Sequence, residues 1–188
     1  MNVVPLSDRL PSGFVTCFRV TDTDSFHHPL YCMNSIAEHN DLSHLQYSSV
    51  AMPLIYEYQH TVTPTEIDQV GHVNNIEYVR WLQHAAIAHS AAQGWDAPRY
   101  RELGMGWVVR SHFIEYLIPA FLHDQVVIKT WVATMKKVTS IRRYEIWRPA
   151  DDKKLAVAET NWAFVNFSTH QPCRVPAEIL NSFELNPD

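Results

Sequence analysis

The feature that most constrains this chain is one long helical segment set among strand-like segments. Across residues 75–93, apolar side chains recur at the spacing of one helix face, and five alanines fall within the same segment. Asn74 or Asn75 is suited to cap the helix start, and Gly94 stands where a terminating glycine belongs. Runs rich in Val, Ile, Thr and aromatic residues lie at 54–62, 107–117, 125–135, 140–148 and 155–167.

This order of segments predicts an α+β fold, with a long central helix wrapped by a curved antiparallel sheet of about five strands. The breaks between the four later runs are too short for a parallel crossover, so we expect those strands to form a meander. Residues 95–106 are expected to form a linker, and 176–183 a short final helix. The outer edges of such a sheet would stay open, which favours pairing with a second copy.

The composition of the chain changes near residue 52. All six tryptophans come after residue 80, whereas residues 1–51 contain only two basic side chains, Arg9 and Arg19, and no sustained apolar periodicity. We therefore interpret 1–51 as a poorly structured N-terminal extension and 52–188 as the working domain. A native start at Met52 is one hypothesis for this division.

Charge and cysteine content narrow the classes of function. A net charge of −5 gives no electrostatic reason to expect a nucleic acid as partner. The sequence shows neither a signal peptide nor an apolar run of about 20 residues, so no membrane partner is expected. The three cysteines, Cys17, Cys32 and Cys173, form no CxxC pair, which favours a reducing, cytoplasmic location.

The densest group of polar residues lies at 66–75, between the first strand and the helix. A helix start offers free backbone N–H groups and the positive end of the helix dipole, and both stabilise an oxyanion. Gly71 permits a positive φ or a close backbone approach. Asp68 stands just before these donors, where a carboxylate can act as a nucleophile or activate water. The alternative is that Asp68 only caps the helix or interacts with its dipole.

One run within this segment, Asp68-Gln-Val-Gly-His-Val-Asn-Asn75-Ile-Glu-Tyr78, resembles the signature of the 4-hydroxybenzoyl-CoA thioesterase family of hotdog-fold acyl-CoA thioesterases. Further similarity to this family occurs in the same order at 109–111, 116–119, 123–124, 130–131, 161–165 and 174–176. The resemblance covers roughly residues 54–183 and none of 1–51. It implies a single hotdog domain that hydrolyses acyl-CoA to a free carboxylic acid and coenzyme A.

The resemblance also implies roles for individual residues. Asp68 would carry the catalytic carboxylate, and the backbone from Gly71 to Asn75 would polarise the thioester carbonyl. His72 and Asn74 would line the site, and Tyr78 and Arg110, which lie within the matching segments, would contact substrate. In one branch of the family the acid is a Glu on the central helix; Gln83 and His84 stand there instead, which disfavours that branch.

The binding site for coenzyme A is expected at the densest basic patch, Lys136-Lys137 and Arg142-Arg143, which resembles the phosphate-binding strand ends of the family. A solvated hairpin end is the alternative interpretation. Arg142 and Arg143 would point to opposite faces of a regular strand, so only one can face a given groove. Trp81 and Trp107 could line an acyl pocket, with a role in the core as the alternative. No metal and no cofactor beyond the substrate's own coenzyme A are expected, since His84 and His89 cannot share a metal on one helix.

The resemblance places the site between the subunits of a homodimer or homotetramer. Two other functions stay open: a non-catalytic acyl-CoA or acyl-carrier binding protein, and a hotdog dehydratase or hydratase that uses Asp68 with His72. The role of Asp68 as nucleophile or general base stays open as well. So do the acyl preference and the choice between coenzyme A and an acyl-carrier protein.

Overall fold

An 18-residue helix lies against a five-stranded antiparallel sheet in the computed structural model, which describes residues 54–187. The expected boundary between 1–51 and 52–188 lies outside this range, so the division of the chain stays a prediction. The elements, in chain order, are β1 (Tyr56–Thr61), α1 (Asn75–Ala92), α2 (Ala97–Leu103), β2 (Met105–Tyr116), β3 (Gln125–Met135), β4 (Thr139–Arg148), β5 (Lys153–Asn166) and α3 (Ala177–Ser182). The predicted α+β class and the long central helix are confirmed.

The strands are arranged in the order β1-β3-β4-β5-β2. The expected meander is therefore correct for β3, β4 and β5 but wrong for β2, which pairs with β5 at the far edge of the sheet. The error lies in the break at 117–124. In the observed strand order, β2 lies three strand spacings from β3, which is about 14 Å. The eight residues between these strands can reach about 27 Å when extended, so this short segment is able to cross the sheet.

We call residues 117–124 the crossing segment. Its start is held to β5 by the hydrogen bond from Leu117 N to Leu155 O, and its end to β1 by that from Val62 N to Asp124 O, both 2.9 Å long. Arg148 fixes it further, since Nη1 lies 2.7 Å from Asp124 Oδ2. The crossing segment thereby brings the end of β2 close to the beginning of α1, where Val73 N donates to Ala120 O.

Helix α1 begins at the predicted residue and ends one residue before the predicted end. Asn74 caps it, because its side-chain oxygen accepts a hydrogen bond from Ile76 N, and Gly94 follows the last turn with a φ of 81°. Ala85 and Ala86 lie on its buried face and are at most 5% exposed. Such small side chains let the helix approach the sheet closely. The buried face is made of Tyr78, Trp81, Leu82, Ala85, Ala86 and His89.

The expected linker at 95–106 is wrong in part, because it contains the helix α2. Asp96 caps this helix by accepting a hydrogen bond from Arg99 N at 2.9 Å, and Gly104 ends it with a φ of 67°. An N-cap Asp, a first-turn proline and a terminal glycine were the available signals. However, α2 is only seven residues long and none of its side chains is buried, so apolar periodicity could not reveal it.

Candidate active site

The loop between β1 and α1 is anchored by a buried glutamate that sequence reasoning did not single out. Glu66 accepts hydrogen bonds from Trp81 Nε1 at 2.8 Å, from Thr63 N at 2.6 Å and from His60 Nε2 at 2.9 Å. Burial alone raises the pKa of Glu66, but these hydrogen bonds outweigh it and hold the pKa at about 2. The carboxylate is therefore charged at neutral pH, and it ties the loop to the core of α1.

Residues 67–74, here called the site loop, turn tightly around Asp68. The Oδ1 atom of Asp68 accepts hydrogen bonds from the backbone N–H groups of Val70 at 2.8 Å and Gly71 at 3.1 Å, and that of His72 lies 3.4 Å away. Gly71 has a φ of 93°, which an L side chain rarely adopts, so this turn requires glycine. The backbone thus fixes one carboxylate oxygen and leaves the other, Oδ2, outside the turn.

The electrostatics of this turn favour an ionised Asp68. Desolvation on its own raises the pKa of Asp68, but the hydrogen bonds from Val70 and His72 and the positive charge available on His72 lower it below its usual value. His72 Nδ1 lies 3.4 Å from Oδ2. The Asp68 side chain remains 26% exposed, so the carboxylate is both charged and accessible.

The start of α1, directly after the site loop, offers backbone donors. The N–H groups of Ile76 and Glu77 are taken by the side chain and the carbonyl of Asn74. Within residues 54–187, no group accepts a hydrogen bond from the N–H of Asn75, which is the first residue of α1. This free N–H at the positive end of the helix dipole can stabilise a developing oxyanion.

A cleft of about 260 Å³ opens next to these groups. His72, Asn75 and Tyr78 line it from the site loop and α1. Its opposite wall is the end of β2 with the first part of the crossing segment, Tyr116, Leu117, Ile118 and Pro119. The cleft therefore lies between the site loop, the start of α1 and the end of β2. Of the predicted site residues, His72 and Asn75 line it, and Asp68 adjoins it because its Oδ2 lies 3.4 Å from His72 Nδ1. Gly71 and Asn74 belong to the site loop but do not line the cleft.

Two tyrosines shape this cleft. Tyr116 donates a hydrogen bond from its hydroxyl to Asn75 O at 3.2 Å and packs edge-on against Tyr78, with ring centroids 5.1 Å apart. The Tyr78 hydroxyl accepts a hydrogen bond from Ala120 N at 3.0 Å. The sequence indicated Tyr116 only as part of the matching segment 116–119. The position of β2 at the sheet edge is what makes Tyr116 a wall of the cleft.

The other expected substrate-contacting residues are dispersed. Trp81 is 1% exposed and bonded to Glu66, so it belongs to the core beneath the site loop. Arg110 lies exposed on β2, at a bulge where the pairing with β5 shifts register. Lys136 and Lys137 are exposed in the turn between β3 and β4, where Lys137 O accepts a hydrogen bond from Val175 N. We call these two the surface lysine pair.

The structure separates Arg142 from the surface lysine pair, which corrects the grouping of these residues into one basic patch. Arg142 and Arg143 do point to opposite faces of β4, as the strand geometry predicted. Arg142 is 6% exposed and lies between α1 and the sheet, whereas Arg143 lies on the outer face and pairs with Glu159 at 3.4 Å. A guanidinium buried in this way cannot join a phosphate site on the outer surface.

In the range 54–187, no helix is long and apolar enough to cross a bilayer. No three His, Cys, Asp or Glu side chains of that range are grouped closely enough to hold a metal ion.

Comparison with protein families gives a match over residues 62–183, to the model described as the thioesterase-like superfamily. The matched segment includes the site loop, α1 and all four later strands. It begins one residue after β1 and ends one residue after α3, so it spans nearly all of the described part of the chain.

Solved structures share this fold at low sequence identity. A 1,4-dihydroxy-2-naphthoyl-CoA thioesterase from Synechocystis is 15% identical, with a TM-score of 0.64 over 68% of this chain and 94% of the other. A hypothetical protein from Staphylococcus aureus in complex with CoA is 14% identical, with a TM-score of 0.65 over 68% and 80%. A DHNA-CoA thioesterase from Staphylococcus aureus is 20% identical, with a TM-score of 0.61 over 64% and 80%. The curved open sheet with its central helix is the hotdog architecture, as expected.

Proposed function

Because the chain belongs to the thioesterase-like superfamily, we propose that it hydrolyses acyl-CoA thioesters to a free carboxylic acid and coenzyme A. One observation carries the proposal: the ionised carboxylate of Asp68 lies in the loop that leads into α1, and the first residue of α1, Asn75, lines an open cleft and has an N–H without an acceptor among the described residues. A thioester needs little more than this pair, because its carbonyl is electrophilic and a thiolate leaves readily. The thioesterase neighbours and the neighbour in complex with CoA support the choice of substrate.

The carbonyl oxygen of the thioester would accept a hydrogen bond from Asn75 N–H, where negative charge develops during attack. Asp68 Oδ2 then either takes a proton from water that attacks the carbonyl carbon, or attacks that carbon itself to form an anhydride that water hydrolyses. In both routes the C–S bond breaks. The coenzyme A thiolate takes up a proton that comes from the water consumed in the hydrolysis. Oδ1 stays in the turn and holds the carboxylate in place.

The surface lysine pair is proposed to bind the phosphates of coenzyme A. Lys136 and Lys137 are exposed on a tight turn whose backbone is fixed by hydrogen bonds from Lys136 N to Thr139 O and from Val175 N to Lys137 O. Arg174 is exposed and precedes Val175, which is hydrogen-bonded to this turn, so it adds a third positive charge nearby. Such clustered cations attract a phosphate group through charge-assisted hydrogen bonds.

The functional unit is proposed to be at least a homodimer that pairs through β2. This strand is an edge strand of twelve residues, and it exposes Val108 at 41% and Phe113 at 67%. A long edge with exposed apolar side chains is a template for pairing with another strand. Because Tyr116 on β2 also lines the cleft, a second copy on this edge would complete the site.

Release of free thiol from acyl-CoA, followed by a colorimetric thiol reagent over straight-chain and aromatic substrates, tests the proposal. We expect Asp68→Asn to lower kcat by a factor of about 100 or more, since it removes the base or nucleophile. Asp96→Asn is the matched control, because it changes a capping Asp of α2 outside the site. No thiol release by the wild type, or equal rates for wild type and Asp68→Asn, would contradict the proposal.

A second candidate function, hydration or dehydration of an acyl thioester, is favoured by the 3.4 Å approach of His72 to Asp68. A His with an acid partner is the arrangement such chemistry needs. Incubation with an enoyl-CoA, monitored by loss of its conjugated absorbance without thiol release, separates this candidate from hydrolysis. Single-turnover hydrolysis in ¹⁸O-labelled water separates the two hydrolytic routes, because only the anhydride route puts label into Asp68.

A further inference from the structure

A second, larger cavity lies between the later half of α1, the helix α2 and the sheet, and it opens to the surface beside Ile87, which is 56% exposed. Its volume is about 340 Å³, within the range of small-molecule sites. We call it the interior cavity. Its walls are largely aromatic, with Trp95, Tyr100, Trp107, Trp162, Phe167 and Phe183. Two cationic side chains also line it: Arg101, which is exposed, and Arg142, which is only 6% exposed.

The partners of Arg142 leave its charge unbalanced. Its Nη1 donates hydrogen bonds to His89 Nδ1 at 2.8 Å and to Thr130 Oγ1 at 3.2 Å. Burial and the adjacent guanidinium lower the pKa of His89 to about 3, so this imidazole is neutral. No Asp or Glu within residues 54–187 forms an ion pair with Arg142, and the lining of the interior cavity includes no acidic side chain.

Several donors at this place have no acceptor. Arg142 Nε and Nη2, which together carry three N–H groups, make no hydrogen bond to any described residue. Neither nitrogen is among the fully enclosed polar atoms without a partner, so both stay reachable from the cavity, while no anionic group of the described residues compensates the charge. An anion in the interior cavity would supply that compensation.

We propose that the interior cavity binds the far end of an acyl group that terminates in a carboxylate, so that the preferred substrates are monothioesters of dicarboxylic acids. The guanidinium of Arg142 forms the two parallel hydrogen bonds that match a carboxylate, and the aromatic walls take up the apolar part of the acyl chain. This inference rests on the proposed thioesterase function, because it treats the interior cavity as the acyl site.

The proposed dimer explains how a thioester reaches this cavity. His89 lies about 21 Å along α1 from Asn75, and the buried side chains of Tyr78, Trp81 and Leu82 fill the space between them. A two-fold pairing of the β2 edges turns the second α1 in the opposite direction. The proposal requires that the start of this second helix lies at the interior cavity of the first copy, so that the Asp68 loop and Arg142 of one site come from different copies.

The test compares suberyl-CoA with octanoyl-CoA, which have the same chain length and differ by the terminal carboxylate. We expect wild type to favour suberyl-CoA in kcat/KM by about tenfold or more, because charged hydrogen bonds contribute a factor of that order. Arg142→Met should remove this preference. Arg143→Met, on the outer face of the same strand, should keep it. An equal ratio for wild type and Arg142→Met would overturn the proposal.

A binding measurement keeps this test independent of catalysis and of the variant's folding. Free suberate should raise the melting temperature of wild type, whereas octanoate at the same concentration should raise it less. If thiol is released from both substrates but suberate has no advantage over octanoate, the carboxylate site is wrong and the thioesterase stands. If suberate binds with this advantage but no thioester is hydrolysed, the proposed function fails and the site stands.

Mixing two inactive or altered variants tests the sharing of the site between copies. Asp68→Asn dimers should be inactive, and Arg142→Met dimers should lack the preference for suberyl-CoA. Mixed dimers should regain that preference, because one of their two sites combines an intact Asp68 with an intact Arg142. If mixing restores no preference, the arrangement across two copies is wrong.

Discussion

Trp81, in the middle of the buried face of α1, donates a hydrogen bond of 2.8 Å from Nε1 to Oε1 of Glu66 at the base of the site loop. This bond joins the core to the site loop, because the backbone carbonyl of Glu66 also accepts a hydrogen bond from the N–H of Asn74, which caps α1. The position of the proposed oxyanion donor therefore depends on a carboxylate that is buried beneath the loop.

Glu66→Gln should lower the free energy of unfolding by about 2 kcal/mol, because one oxygen that accepted hydrogen bonds becomes a donor facing other donors. Urea unfolding at pH 7 measures this difference. Glu57→Gln, at an exposed position on β1, is the control and should change stability little. Equal stability of wild type and Glu66→Gln would show that the anchor is not needed.

The same carboxylate should make the stability depend on pH. The pKa of Glu66 in the folded protein, about 2, lies below its ordinary value of 4.5. Its contribution is therefore complete above about pH 5 and is lost as the pH falls towards 2. We expect the stability difference between wild type and Glu66→Gln to shrink over this window in urea titrations. A constant difference from pH 7 to pH 3 would contradict this.

Gly71→Ala should impair catalysis through the backbone alone. No atom lies within 4 Å of the added Cβ, but a φ of 93° is strained for alanine by about 1 kcal/mol. The turn that presents Asp68 should distort, with a fall in kcat. Gly94→Ala is the matched control, because it introduces the same kind of backbone strain, at a φ of 81°, at the other end of α1. If both variants lose stability and activity equally, the turn has no special role.

Phe113→Lys should prevent association through the β2 edge, because it places a charge on a side chain that is 67% exposed in one copy. Light scattering after size-exclusion chromatography should show a smaller species, and thioester hydrolysis should fall with it. Leu122→Lys, at an exposed position of the crossing segment that lines neither the cleft nor the interior cavity, should change neither. A fully active monomeric Phe113→Lys variant would contradict the shared site.

Regular local patterns made most of the fold predictable. The apolar spacing and the capping residue Asn74 gave α1 to within one residue at its end, and the β-rich runs gave each strand to within about two residues. The position of β2 could not be predicted, because the pairing of Tyr116 with Ala156 is set by the curvature of the sheet rather than by turn length.

The site was predictable only as far as it is local. Asp68 to Asn75 are adjacent in sequence, and their turn follows from Gly71 and the helix start. The wall formed by Tyr116 comes from a distant strand, so no local pattern could assign it. Arg142 was grouped with the surface lysine pair because charge in a sequence suggests exposure, yet strand alternation turns it inward.

The strand order also has a consequence for how the protein folds. The hairpins from β3 to β5 pair residues that are close in sequence, whereas β1 and β2 pair across long separations, Tyr56 with Thr130 and Met105 with Asn166. Closing such long loops is slow, so both edge strands should dock late. Because the cleft needs the loop after β1 and the end of β2, we expect catalytic competence to be the last property that a refolding chain recovers.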